Sequence, residues 1–106
     1  MNVYLKIRQP EVLVFDANIT HNLTGMAEEA GIYQHLWHPE DIGITRAWQL
    51  IEPLRIGIAL MKVERLRFKK HDAINGWGTY DNFVPWVEEY LAACERTPEA
   101  YVSVSR

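Results

Sequence analysis

The sequence predicts an α+β fold, a small antiparallel sheet of about three strands drawn from both chain ends and packed on one face by about three helices. Two β-rich runs open the chain, an alternating run closes it, and the stretch between repeats its apolar residues at three and four. Strand and helix never alternate in a sustained way, which disfavours a doubly wound parallel sheet. A length of 106 residues suits a single domain, 1–106, with one core, and neither an internal repeat nor a linker interrupts it.

The opening runs are residues 3–7 and 12–15, both rich in β-branched and aromatic residues, and Arg8-Gln9-Pro10-Glu11 between them reads as a hairpin with Pro10 in the turn. At the far end Tyr101-Val102-Ser103-Val104-Ser105 alternates as a half-buried strand does. Pairing these terminal strands would tie down both chain ends. Ile19, Leu23, Met26, Ala27 and Ala30 form one apolar stripe of a first helix, and Gly31 stands where a C-terminal cap glycine belongs. A short segment, residues 33–37, ends at His38-Pro39. The longest helical pattern uses Ile44, Ala47, Trp48, Ile51, Leu54, Ile58 and Met61 and reaches toward Leu66, with a kink or break expected at Pro53. The last helix gathers Phe83, Val87, Tyr90, Leu91 and Cys94 on one side. Pro85 is expected within its first four N–H groups, which places the cap at Asp81 or later and leaves NGWGTY (residues 75–80) as a loop.

Composition excludes several classes. Apolar residues make up 48% and charged residues 24%, an ordinary globular balance rather than a disordered one. No apolar run approaches the roughly 20 residues a membrane span needs, and the N-terminus lacks a signal-peptide layout, so a cytoplasmic protein without membrane partners is expected. Cys94 is the single cysteine, which rules out an intrachain disulfide and suits a reducing compartment. The sequons at Asn18 and Asn22 read as coincidence without secretion. A net charge of −3 argues against bulk nucleic-acid binding. Lys62, Arg65, Arg67, Lys69 and Lys70 crowd one stretch while Glu88, Glu89, Glu95 and Glu99 crowd another, which reads as two solvated faces of opposite sign.

Three segments carry candidate chemistry. Asp16-Ala17-Asn18-Ile19-Thr20-His21-Asn22 runs from the second strand into the first helix. Asn18 or Thr20 can cap that helix, and no carboxylate follows until Glu28. Backbone N–H groups left to Thr, His and Asn neighbours make a receptive place for phosphate or carboxylate; the plainer alternative is capping alone, with His21 and Asn22 facing water. In the second segment Asn75-Gly76 signals a turn and Gly76 and Gly78 strip bulk from either side of Trp77, so its ring can stack on a base or sugar unless it plugs the loop onto the helices. The third, residues 35–41 (HLWHPED), offers His35 and His38 with acids behind them. Without a motif-grade third ligand it reads as surface histidines at a short helix end, and neither a metal nor another cofactor is expected. Serine occurs only at positions 103 and 105, so a Ser-His-Asp arrangement is not available. His21 could pair with Asp16 or Asp81 as acid and base if the fold joined them.

The segments NITHNL, MAEEAGIY, LWHPED, LIEPLRIGIALM, NGWGTYDNFVPWVEEYLAAC and VSVSR together resemble a family of short, uncharacterised bacterial and phage-borne proteins. The likeness runs from Phe15 to Arg106 and is most particular at NITHNL and NGWG. It implies a cytosolic stand-alone domain of the prophage-encoded kind and lends no catalytic residues.

The expected function is a binding module for a small anionic, nucleotide-like ligand, in a phage context a sequestering, anti-defence protein. Asn18, Thr20, His21 and Asn22 would meet the charged end, Trp77 would stack on the flat end, Asn75 would read an edge, and Arg65 or Lys69 would close the site. Capture between subunits of a homo-oligomer fits the same expectation. The alternatives are a protein–protein effector that blocks a host enzyme through its four Trp and five Tyr, and a small His21-dependent hydrolase or lyase. Binding ranks above catalysis because no nucleophile or metal set is visible.

Overall fold

The computed structural model describes residues 1–8, 11–73 and 76–106. Strand β1 spans Asn2–Arg8, β2 Glu11–Asn18 and β3 Tyr101–Ser105, and they form one antiparallel sheet in the order β2-β1-β3. The terminal strands therefore pair as their patterns predict, with Val3 opposite Val104 and Leu5 opposite Val102. Pro10 lies outside the described residues, so the turn expected there is not characterised further. β1 is central because its alternate residues Val3 and Leu5 are fully buried, and on that same inner face lie Phe15 and Ala17 of β2. The register shifts between Leu5 and Lys6, a bulge that re-aims the far half of β2. Val12, Leu13 and Val14 beyond it are exposed.

Helices cover the inner face: α1 (Thr24–Glu29), α2 (Tyr33–Trp37), α3 (Trp48–Val63), α4 (Arg65–Lys69) and α5 (Tyr80–Arg96). The architecture is thus the expected α+β, with two long helices and three short ones among the described residues. No helix there is long and apolar enough to cross a membrane. The first helical stretch is broken more finely than its periodicity predicts. It opens as a 3-10 turn, His21–Leu23, before α1 takes over, and Gly31 ends it at φ +77° as expected. α3 begins at Trp48, leaving Ile44 and Ala47 as buried residues ahead of it, and Leu66 belongs to α4, where it is exposed.

Both prolines lie inside helices. Pro53 lies inside α3, which runs on without a break, and Pro85 sits well inside α5 because that helix starts at Tyr80 rather than at Asp81 or later. An interior proline removes one backbone hydrogen bond and costs about 3 kcal/mol in an isolated helix, so tertiary contacts must hold the extra turn. They do so at Tyr80. Its backbone N–H donates to Asp72 Oδ1 at 2.7 Å, a cap supplied from outside the helix, and its buried hydroxyl donates to the Met61 carbonyl at 3.0 Å. In the middle of α3 a Cβ at Gly57 would meet Ile32 Cγ2 at 2.7 Å, which lets the link between α1 and α2 lie directly on α3.

The two charged stretches share one ion pair among the described residues, and a second pair extends it. Lys62 pairs with Glu88 at 2.7 Å and Arg55 with Glu95 at 2.5 Å, so α3 and α5 are laced along their exposed seam. Three basic side chains converge on Glu29 at the end of α1: His71 Nε2 at 2.6 Å, Lys70 at 3.6 Å, and Arg67 in direct contact. The His71 and Arg67 hydrogen bonds pull the Glu29 carboxyl from an ordinary 4.5 down to about 2. A depressed carboxyl stabilises the folded state fully above its unfolded value and loses that contribution as pH falls through the folded one. The melting temperature of a Glu29→Gln variant should therefore lie furthest below the parent's above pH 4.5, and the gap should close as the pH approaches 2. A gap independent of pH across that window would show that Glu29 acts by packing alone.

Candidate functional site

Residues 18–23 and 76–78, more than fifty positions apart in sequence, meet at the exit of β2. Asn18 is the last residue of that strand, opposite Asn2, and its Nδ2 donates to Asn2 Oδ1 at 2.7 Å. Ile19 N–H then donates to the Met1 carbonyl at 2.8 Å, which continues the pairing one step past the strand. Thr20 is extended, and its Oγ1 accepts from Asn22 N–H at 3.4 Å, so Thr20 is the cap of the 3-10 turn. Asn18 caps nothing.

The loop seats on this turn because Gly78 has no side chain. A Cβ there would lie 3.1 Å from Thr20 Cγ2, 3.2 Å from Asn22 Cβ and 3.2 Å from Leu23 Cγ, and the backbone φ is +97°. Asn22 Nδ2 donates to the Trp77 carbonyl at 3.0 Å, and Ala73 N–H donates to the Gly78 carbonyl at 3.1 Å. Backbone and amide hold the loop, while the Trp77 ring stays 69% exposed. Trp77 is therefore no plug. The cleft between the segments holds about 290 Å³ and is lined by Asn18, Thr20, Trp77, Asn82 and Trp86.

Two of those residues escape the sequence reading. Asn82 and Trp86 stand four apart on α5, so they share one face and reach the cleft only because the helix starts at Tyr80. The signal was present, since both flank the apolar stripe beside the NGWG loop, but the expected later helix start hid it. The side-chain amide of Asn82 has no partner among the described residues. Trp86 is half-buried with its ring tilted against Tyr90 at 5.7 Å, and its indole nitrogen is buried with no hydrogen-bond partner among the described residues. A donor so placed carries a desolvation penalty of roughly 1–3 kcal/mol until an acceptor meets it.

The remaining expected residues are placed elsewhere. His21 is exposed and lies beside the cleft rather than in its wall; the buried Trp37 donates its indole N–H to His21 Nδ1 at 3.1 Å, which fixes the neutral tautomer with its proton on Nε2. Among the described residues no carboxylate reaches His21 within ion-pair distance, and Asp81 is engaged by Arg65 and Lys69 at 3.6 Å each. The acid–base pair with Asp16 or Asp81 is therefore not assembled. Arg65 lines a separate depression with Lys62, Tyr80 and Val84, so neither it nor Lys69 closes the cleft. Asn22 spends its amide nitrogen on Trp77, making it a positioning residue. Asn75 lies outside the described residues. No Lys or Arg lines the cleft, and the helical stretch behind Thr20 is a 3-10 turn followed by six α-helical residues, so the strong anion receptor expected of a long helix start is not built.

Other reactive groups are accounted for by packing. Burial pushes the Cys94 thiol up to about 12, which makes it an unreactive core residue. His38, Glu40 and Asp41 bring ligand atoms within 4.8 Å of one another, but Glu40 is neutralised by Arg106 at 2.7 Å and His38 leans on the Tyr33 hydroxyl at 3.2 Å. His35 is not part of that group. Protein-family models, curated proteins and solved structures yield no match to this chain.

Gly76 and Gly78 both have positive φ, at +78° and +97°, yet only Gly78 touches the turn. Alanine at either position incurs backbone strain of about 1 kcal/mol or more. Gly78→Ala should lose about a further 1–2 kcal/mol in denaturant melts from the close approach. Equal losses for the two variants would mean that the loop does not rest on residues 20–23.

Proposed function

We propose that the protein is a binding module for a small nucleotide-like ligand, gripped chiefly by its ring. The observation that carries this reading is the Trp77 side chain, 69% exposed on a backbone anchored by Asn22 and Gly78. An exposed indole normally keeps its freedom; one held by its own main chain is pre-organised to stack, and stacking a base contributes roughly 1–3 kcal/mol. The cleft volume lies near the lower end for ligand sites, which suits a base with its sugar rather than a dinucleotide. Around that ring the free Asn82 amide, the Asn18 carbonyl oxygen and the Thr20 hydroxyl are donors and acceptors for a polar edge. With no cation in the wall, phosphates would project outward past His21 and add little to affinity. Sequestration fits such a cleft, in which the described residues assemble no acid–base pair.

Calorimetric titration with nucleosides and the matching monophosphates tests this directly. At least one base should bind, its nucleoside and monophosphate should agree within about fivefold, and Trp77→Ala should weaken both by about tenfold or more in protein that remains folded. Silence across the panel from folded protein removes the proposal. An absolute requirement for phosphate removes the ring-first version of it.

A protein–protein role is the second reading, and it rests on a different observation. Trp48, Ile56 and Val63 lie along the outer face of α3 and continue to Leu66 of α4, all exposed. Exposed large apolar side chains on one helical side are a candidate interface. If it is one, Ile56→Glu should abolish capture of a protein partner and leave nucleoside binding intact.

A further inference from the structure

The two edges of the sheet are finished differently. Residues 45–47 cover β3: Val102 N–H donates to the Thr45 carbonyl at 2.9 Å, and Ala47 N–H donates to the Ala100 carbonyl at 2.8 Å. β2, at the other edge, has no such cover among the described residues. The Met1 ammonium donates to the Ile19 carbonyl at 2.9 Å and Ile19 N–H returns a bond to the Met1 carbonyl at 2.8 Å. Antiparallel alternation from that pair turns the backbone groups of Phe15 and Ala17 toward β1 and those of Asp16 and Asn18 outward. Edge strands are commonly guarded by lysine, proline or a bulge. The bulge of β2 guards its first half, but residues 15–18 contain neither lysine nor proline.

A groove follows this open stretch. Phe15 stacks on the buried Tyr90 with ring centroids 5.8 Å apart, which fixes its ring. It lines a depression of about 230 Å³ with Glu89, Ala92 and Arg96 of α5, residues three and four apart on one side of that helix. Farther along β2, Asn18 lines the ring cleft together with Asn82 and Trp86. α5 therefore runs against the direction of β2, with Arg96 toward the strand's start and Glu89 toward its end. Neither Glu89 nor Arg96 makes an ion pair among the described residues, although their neighbours Glu88 and Glu95 do. The depression is thus an apolar seat with a carboxylate at one end and a guanidinium at the other.

We infer that the β2 edge and α5 form a docking groove for an extended polypeptide segment, added antiparallel to β2 as a fourth strand. The unmet N–H and C=O groups of Asp16 and Asn18 call for a strand backbone, and the seat on Phe15 and Ala92 takes one apolar side chain. Residues two before and two after that side chain point the same way. An antiparallel segment meets Glu89 first and Arg96 last, so its inward residues read basic, apolar, acidic. The seat shares no lining residue with the ring cleft, so occupancy of one does not require the other.

Titration of isotope-labelled protein with a short capped peptide containing Lys-Thr-Leu-Thr-Glu, followed by amide chemical shifts and hydrogen exchange, tests the groove. The peptide should shift residues 15–18 and Ala92 saturably and slow the exchange of the Asp16 and Asn18 amides. The charge-swapped Glu-Thr-Leu-Thr-Lys peptide should bind at least about fivefold more weakly. N-methylation of the first threonine, which lies opposite Asp16, should abolish binding, whereas N-methylation of the leucine, whose N–H points away, should not. Ala92→Gln fills the seat and should weaken binding about tenfold, with the helix content unchanged. Silence from folded protein, equal binding of the charge-swapped peptide, or equal binding of the two N-methylated peptides overturns the inference. So does concentration-dependent protection of Asp16 and Asn18 without peptide, which assigns the edge to a second copy of the chain.

Discussion

The contact of Gly78 with Thr20, Asn22 and Leu23 is the constraint from which the rest of the site follows. Only a residue without a Cβ lets the loop backbone come this close to the turn. Once it does, Asn22 can reach the Trp77 carbonyl, and Ala73 N–H can close the loop on the Gly78 carbonyl. The loop is then short enough for Asp72 to cap Tyr80, so α5 begins early and tolerates Pro85 in its interior. That early start turns Asn82 and Trp86 toward the same cleft. A single small residue thus sets the placement of two indoles and an amide drawn from the loop and from α5.

Charge is organised separately from this site. The ion pairs run along the seam between α3 and α5 and gather at Glu29, where they lock α1 to α4 and the residues just after it. Exposed pairs of this kind contribute little one by one, and their value here is registration: they fix which faces of the helices meet. The cleft is left uncharged, with hydroxyl and amide groups around two aromatic rings. Arg8 and Arg46, which have no carboxylate within ion-pair distance, lie against the Tyr101 ring instead.

Much of the fold was legible because its signals are local. Alternation at residues 3–7 and 101–105 marked the strands, and the apolar stripe of residues 83–94 marked the last helix. The glycines around Trp77 marked an exposed aromatic loop, and its meeting with residues 18–22 was the hope that the sequence could frame but not test. What was not legible depends on contacts between distant residues. The start of α5 is decided by Asp72 and Met61, neither of which its own propensities contain. Arg65 and Lys69 looked available as ligand cations only because their partner Asp81 lies across a helix interface. His21 looked like a base until Trp37, a residue of another helix, claimed its Nδ1.

The cleft stands on the seating of one loop against one turn, and a nuclear Overhauser experiment measures that seating without any ligand. Gly78 Hα protons should show strong cross-peaks to the Thr20 methyl and to a Leu23 methyl, since the atoms flanking them are in van der Waals contact. Those cross-peaks, together with a slowly exchanging Gly78-bonded amide at Ala73, are the predicted result. A well-dispersed spectrum in which Gly78 shows no cross-peak to either methyl would contradict it, and with it the cleft.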